Sequence, residues 1–425
     1  MSNKRFLFIH YHYPPIRNSG VYRNYYLSTA LTELTDNAYL ITTDNRKYLP
    51  NEVMEIHPNI TRREALTLDY RRIVAWLNGK KSKAGAQFSE GTKKSHIMVW
   101  AIKIQRSFPF NLVLAEGALL YIINGYRIGN QLIKEQKVNV IYSSFMPYAD
   151  HVIAYFLKKK NPNIQWVADF RDLHVEPIYK NTIWPSLQRW VEKKLLQNAD
   201  LITCVSEGIS NKMRAYHPKV LTITKGVTPR PLITQYDVFT IAYSGSLFLD
   251  FRDPKLLFQA ISALRSEGKL QKIQIIYAGK DSSTMMKWAA DYSVNEVFVD
   301  KGFVSREEAL SIQDRSHINL LLTSSSPEHQ GLLTGKLFEY FEAGNPVICI
   351  VKGVQDSELE NIFTELNAGH IAYDPSGIST LKNFILSKYH EWEATGEVAQ
   401  TIDHQKLKNS YSWEGQALKL LSAIQ

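Results

Sequence analysis

The sequence predicts an α/β protein built from two doubly wound parallel sheets, and three observations carry that expectation. The 425 residues exceed what one core usually organises, since domains run to roughly 100–200 residues. Short apolar runs alternate with longer helix-like segments along the whole chain, the pattern of parallel strands covered by helices on both faces. The charge also divides: residues 1–233 hold 33 Lys+Arg against 17 Asp+Glu, net +16, and residues 234–425 hold 17 against 24, net −7. Two halves of opposite sign imply two domains with different neighbours.

In chain order, the first half reads as strands at 5–10, 38–42, 138–143, 165–169 and 201–205. Helices follow at 21–34 after a glycine turn, at 148–160 after a proline, and at 183–198 before the Ala199-Asp200 turn. The stretch KGVTPRP and the residues up to Asp237 interrupt the alternation and read as the connection between domains. The second half repeats the logic, with strands at 240–244, 274–278, 296–299, 318–322 and 346–351 and helices at 254–267, 306–314 and 336–343. From Trp413 onward Ala417, Leu420, Leu421 and Ile424 share one side of a closing helix. The expected domains are 1–233, with an insertion at about 62–106, then 234–405, and a closing element at 406–425. Two such sheets place ligands at the carboxyl ends of their strands, in a cleft between the domains.

Composition narrows the class. Hydrophobic residues make up 44% and charged residues 21%, which excludes a disordered or fibrous chain. The two cysteines, Cys204 and Cys349, each sit in an apolar run, so neither a disulfide framework nor a cysteine metal site is expected, and a reducing cytoplasm fits best. The apolar stretch at 6–9 is too short for a signal peptide or a membrane span and reads as a first strand.

Between Arg62 and Arg106 eleven basic residues face three acids, net +8. Tyr70, Ile73, Trp76, Leu77, Ile97, Met98, Trp100 and Ile104 are interleaved with them, as in basic amphipathic helices on an anionic membrane surface. A solvated helical face beside a core stripe is the plainer alternative. A nucleic-acid patch ranks below both, because no nucleic-acid motif accompanies the charge. Residues 79–92 are the most loop-like stretch of the chain.

Three constellations can carry chemistry. After the first strand, Asn18-Ser19-Gly20 leads into a helix whose amides favour phosphate, with Arg17 and Arg23 adding charge. A plain tight turn is the alternative, and the six-residue dinucleotide fingerprint is missing from any strand-turn-helix context. The second is WVADFRDLHVEP, in which an apolar strand runs into Asp169, Arg171, Asp172, His174 and Glu176; it reads either as a working site or as a surface charge cluster. The third is SSSPEHQGLLTGKLFEYFEAGNPVICIV. Here the amides of Thr334, Gly335 and Lys336 can cradle a diphosphate, with Lys336 as the cation, while Glu339 can accept two ribose hydroxyls. Glu339 as a solvated helix residue is the alternative.

The stretch TGKLFEYFEAGNPVI resembles the donor-binding signature of family 4 glycosyltransferases of the GT-B fold, and the likeness extends over almost the whole chain. HYHYPPIRNSGVYR resembles that family's first glycine loop. IYSSFMPYADHVIAYFLKKKNPNIQWVADFRD is similar to a segment of its polysaccharide and lipopolysaccharide branches. YSGSLFLDFRDPKLL looks like the opening of the donor domain, and NSYSWEGQALKLL like the closing helix that crosses back to the first domain in this fold.

The resemblance implies a GT-B enzyme whose two Rossmann-like domains face a cleft, and retaining transfer from a nucleoside diphosphate sugar without a catalytic metal or other cofactor. Carried over, Glu339 binds the ribose, Lys336 and Arg252 the diphosphate, and Gly20 lines the donor phosphate from the opposite domain. Gly245 and Ser246 pack beneath the diphosphate, Thr334, Gly335 and Leu337 complete the donor turn, and Asp169, Arg171 and Asp172 contact sugar. Three departures stand out: Gly331 occupies the place of the family's first glutamate, with Glu328 upstream; Gly245-Ser246 replaces a small residue-arginine pair; and Arg171 stands where many members have histidine. The expected acceptor is a glycan or polyprenyl-linked sugar in surface polysaccharide biosynthesis. The basic first domain would then hold the protein on the inner face of the cell membrane, and no nucleic acid is expected. A sugar-nucleotide epimerase on the same scaffold, or a decayed binding protein, are the rival readings.

Overall fold

The computed structural model describes residues 4–16, 19–35, 37–49, 54–77, 96–175, 181–247, 252–327, 330–331 and 333–424. The loop expected at 79–92, five lysines of the basic segment (Lys80, Lys81, Lys83, Lys93 and Lys94), and Arg17, Asn18, Glu176 and Glu328 lie outside them. The chain divides into two compact units, residues 1–226 with 413–425, and residues 227–412.

The first unit contains β1 (Phe6–Ile9), α1 (Ser19–Leu34), β2 (Ala38–Thr43), β3 (Ile60–Ala65), α2 (Tyr70–Leu77), α3 (His96–Arg106), α4 (Asn111–Leu114), α5 (Leu119–Gln136) and β4 (Val140–Phe145). It continues through α6 (Tyr148–Lys160), β5 (Gln165–Phe170), α7 (Pro185–Leu196), β6 (Leu201–Cys204), α8 (Glu207–Met213) and β7 (Val220–Thr222). Its seven strands run parallel in the order β3-β2-β1-β4-β5-β6-β7, so the winding reverses between β1 and β4, where Ile9 registers with Ser143. β1 and β4 are buried along their whole length because helices cover both faces.

The second unit contains β8 (Phe239–Ser244), α9 (Lys255–Ser266), β9 (Ile273–Ala278), α10 (Ser282–Asp291), β10 (Phe298–Asp300), α11 (Arg306–Arg315), β11 (Ile318–Ser325) and α12 (Gly335–Ala343). Then follow β12 (Val347–Gly353), α13 (Ser357–Leu366), β13 (Gly369–Asp374), α14 (Ile378–Thr395) and α15 (His404–Tyr411), and the last helix, α16 (Trp413–Ala423), belongs to the first unit. Six parallel strands lie in the order β10-β9-β8-β11-β12-β13, reversing between β8 and β11. One apolar cluster on this sheet is built around Phe239, Leu257 and Ile385, another around Leu337, Phe341 and Leu407.

Two expected boundaries shift. The connection joins the second unit from Val227 rather than from 234, because Val227 N–H donates to Tyr411 O (2.7 Å), Arg230 N–H to Glu342 O (2.7 Å) and Tyr236 N–H to Arg315 O (3.0 Å). The closing element begins at Trp413 rather than 406, since α15 buries Leu407 and Tyr411 in the second unit. Trp413, Ala417, Leu420 and Ile424 of α16 pack with Leu27 and Leu31 of α1. The basic segment is not helical throughout: Arg62 and Arg63 lie on β3, paired with β2.

Candidate functional site

In the second unit the reversal between β8 and β11 gathers the residues expected to meet a donor. β8 ends at Ser244, and Gly245 follows with φ +149°, a conformation that glycine tolerates and side chains rarely adopt. Lys336, in the first turn of α12, lies over this glycine: a Cβ added there would come within 2.7 Å of the Lys336 Nζ. The loop is braced from below. Tyr277 O–H donates to Gly245 O (3.0 Å), Tyr243 O–H to Ser246 O (2.8 Å) and Leu247 N–H to Asp281 Oδ2 (2.8 Å). Burial pushes the Tyr277 phenol up to about 12, so it stays protonated as a donor.

Thr334 is the N-cap of α12, Gly335 and Lys336 begin the helix, and Leu337 is buried as its first core anchor. The hydroxyls of Thr323, Ser325, Ser326 and Thr334 are buried without a protein partner, so the end of β11 and the start of α12 present unused hydrogen-bonding capacity. Glu339 lies three residues beyond Lys336 on the same helical face, and its Oε1 accepts from Arg306 Nη1 (3.1 Å). Arg306 opens α11; it was not singled out from the sequence, since it reaches Glu339 across 33 residues with no local signal. Arg252 lies close enough to Tyr243 to oppose the rise in that phenol's pKa that burial causes. Gly331 has φ +71° and donates its N–H to Asp356 Oδ2 (2.8 Å), a turn that anchors the loop before α12.

In the first unit the Asp169 of WVADFRDLHVEP pairs with Arg23 rather than with Arg171. Asp169 is fully buried at the end of β5, where Oδ1 accepts from Arg23 Nη2 and Thr203 Oγ1 (2.8 Å each) and Oδ2 from Ser144 Oγ (3.1 Å) and Arg23 Nε (3.2 Å). Burial alone would raise this carboxyl, but the Arg23 guanidinium beside it and the hydroxyl donors hold it below the usual carboxylate range. Burial likewise opposes the charge on Arg23, and Asp169 more than restores it. With four donors and no exposure, the Asp169 carboxylate is taken up in fixing Arg23, whose Nη1 also donates to Thr224 O (2.8 Å).

Arg171 occupies the β1/β4 reversal itself. Its Nε donates to Phe145 O (2.8 Å) and its Nη2 to Met146 O (3.0 Å), while Nη1 lies against Gly20 in the first turn of α1 so closely that a Cβ there would overlap it. Gly20 and Arg171, far apart in sequence, are therefore one feature. Asp172 is exposed beside them and favours the Arg171 charge against burial. His10 stands in the same neighbourhood with both ring nitrogens buried and unpartnered, and burial lowers its pKa to about 3. Behind the site, Asp150 accepts from Tyr11 N–H (2.9 Å) and Tyr121 O–H (2.8 Å), which fixes the exit of β1.

No group of three or more His, Cys, Asp or Glu side chains is gathered for a metal ion among the described residues, and no described helix is long and apolar enough to cross a membrane.

No family model and no curated protein matches this chain in sequence. Solved structures do match its fold. Sucrose-phosphate synthase from Thermosynechococcus elongatus aligns with TM-score 0.58 at 13% identity, covering 99% of this chain and 98% of that one. The lipopolysaccharide outer core galactosyltransferase WaaB aligns with TM-score 0.58 at 12% identity over 99% of both chains. A putative UDP-N-acetylglucosamine 2-epimerase from Listeria monocytogenes aligns with TM-score 0.52 at 11% identity, covering 100% of this chain and 96% of that one. At such identities the likeness concerns the fold: two Rossmann-like α/β units arranged along the chain as in GT-B proteins.

Proposed function

We propose that the protein is a glycosyltransferase that moves a sugar from a nucleoside diphosphate sugar to a glycan or polyprenyl-linked acceptor, with retention of anomeric configuration. The observation that carries this reading is Lys336 lying over Gly245 where β8 and β11 diverge, at the first turn of α12. As the glycosidic bond to the diphosphate breaks, negative charge grows on the leaving oxygens. The Lys336 ammonium and the α12 N-terminus are already in place to meet it, with Arg252 as a second cation. Preorganised charge of this kind is typically the largest single contribution to such a step. Glu339 receives the ribose hydroxyls, and Arg306 holds its carboxylate in orientation. Thr323, Ser325 and Thr334 offer hydroxyls to the diphosphate or the sugar. In the first unit, Arg171 and Asp172 face the acceptor side, and Asp169 keeps Arg23 charged beside them. The reaction is assigned to these groups without a metal or other cofactor.

The same scaffold in a putative epimerase leaves donor recognition compatible with a second outcome, epimerisation of the bound sugar nucleotide. A panel of UDP-, GDP-, ADP- and CMP-sugars, offered with and without a lipid-linked acceptor, separates the readings. Release of nucleoside diphosphate that depends on acceptor and is lost in Lys336→Ala supports transfer; an altered sugar nucleotide with no release supports epimerisation; binding of none of them rejects both. The net +16 of residues 1–233 favours an anionic membrane surface as partner, at the inner face of the cell membrane where such an acceptor is carried.

A further inference from the structure

Among the described residues, large apolar side chains are left uncovered on three helices of the first unit. Trp100 on α3 is 60% exposed, Val113 and Leu114 on α4 are 60% and 46%, and Trp184, Leu187 and Trp190 of the α7 segment are 57%, 38% and 59%. On α7 these are not a misplaced core face, because the helix already turns Gln188, Glu192, Leu195 and Leu196 inward. Leu187 and Trp190, three residues apart on the helix, form a second apolar stripe directed to solvent, and Trp184, the residue that caps the helix, is exposed as well.

Hydrogen bonds join the three helices into one surface. Gln105 Nε2 donates to Leu114 O (2.9 Å), tying α3 to α4. Ile183 N–H donates to Ser107 Oγ (2.8 Å), Phe108 N–H to Gln188 Oε1 (2.7 Å) and Gln188 Nε2 to Phe108 O (3.2 Å), tying the α3–α4 turn to α7.

The charge on these helices has one sign. Lys103 and Arg106 close α3, and Arg189, Lys193 and Lys194 flank the α7 stripe, with the Lys103 ammonium 5.9 Å from the centre of the Trp100 ring. The one acid on the three helices is Glu192; it is buried, and burial raises its carboxyl to about 8, leaving it largely neutral at pH 7. Exposed tryptophans ringed by cations with no exposed acid match the headgroup boundary of an anionic bilayer, where indole rings rest and Lys and Arg meet phosphate.

We propose that α3, α4 and α7 form an interfacial membrane-docking surface, into which Trp100, Trp184 and Trp190 insert at the acyl-headgroup boundary of anionic lipid. This goes beyond attraction of the basic segment to a charged surface, because it commits to insertion of named apolar side chains and includes α7, well outside that segment. It does not require a particular sugar or donor.

The full chain is to be mixed with phosphatidylcholine vesicles, with and without phosphatidylglycerol, whose acyl chains are brominated near the headgroup. The expected result is tryptophan quenching on the anionic vesicles only, part of it surviving molar salt, and vesicle affinity lower by roughly tenfold in W100Q/W190Q. Nucleotide-sugar binding and the circular dichroism spectrum should stay as in the unsubstituted protein. Pelleting that salt abolishes, without bromine quenching, would show electrostatic adsorption alone and overturn the proposal. So would failure to bind vesicles, including the case where light scattering finds a self-associated protein that W100Q/W190Q dissociates. If neither protein binds any nucleotide sugar while quenching persists, the transferase reading fails and the docking surface stands.

Discussion

The ammonium of Lys336 lies over Gly245 across the reversal point of the second sheet, although ninety-one positions separate them in sequence. The missing side chain of one residue is thus the space occupied by the other. The backbone at 245, with φ +149°, could not have hosted a side chain without strain in any case.

Gly245→Ala should therefore push Lys336 out of position and strain the loop, at about 1–3 kcal/mol of stability. Calorimetric titration with the preferred nucleoside diphosphate should show at least a tenfold weaker Kd, close to that of Lys336→Ala. An unchanged Kd would remove Lys336 from the donor site.

Gly20→Ala tests the corresponding contact in the first unit. The added methyl would overlap the Arg171 guanidinium, which must leave its bonds to Phe145 O and Met146 O. Acceptor-dependent turnover should fall by an order of magnitude or more while donor affinity changes little. Equal loss of both would place Arg171 on the donor instead.

Asp169→Asn leaves Arg23 buried beside a neutral amide, and breaking one side of a buried pair costs about 3–5 kcal/mol in urea unfolding. The pH dependence has a definite sign. Asp169 titrates below its unfolded value of 3.8, so its contribution is present above that pH and is lost as pH falls through the folded-state value. The variant should lack this acid-side loss; if it unfolds with the same pH profile as the parent, the pair is not what stabilises the end of β5.

Glu192 gives the opposite slope. Its carboxyl is raised to about 8 against an unfolded value of 4.5, so the folded state holds the proton more tightly. Stability is then complete below pH 4.5, declines as pH rises and levels off above pH 8. Glu192→Gln should be more stable than the parent at pH 8 by a few kcal/mol at most, roughly equal near pH 4. Unfolding midpoints across that range that track each other would refute a buried, proton-holding Glu192.

The strands that sequence reading missed share one cause. β3, β7 and β13 are edge strands, and an edge strand need not be a continuous apolar run. In β3 the residues Thr61 to Glu64 are polar and only its ends are buried; β7 is half-buried throughout; β13 opens on Gly369 and His370. Central strands such as β1, β4 and β8, buried on both faces, announce themselves in the apolar pattern. In the basic segment the helices expected around Tyr70–Leu77 and Ile97–Ile104 are present as α2 and α3, and only Arg62 and Arg63 fall on a strand instead, at an edge whose charges carry no strand pattern.

The site divides along similar lines. The turn into α12 was legible because it is local: a helix N-terminus, a lysine in its first turn and a carboxylate three residues on are all set by spacing along one chain segment. Asp169 was drawn to attention by its charge at a strand end, but its role depends on Arg23, Ser144 and Thr203, which only folding brings to it.

The alternation that makes two parallel α/β units, the charge contrast between the halves, and the turn that opens α12 with Lys336 could all be read along the chain, because each is periodic or local and needs no partner. Folding alone brings Lys336 into the space of Gly245, Arg171 into the space of Gly20, and Glu339 against Arg306. Those relationships join residues tens or hundreds of positions apart. Burial and strand order create them, and nothing in the spacing of either partner records the other.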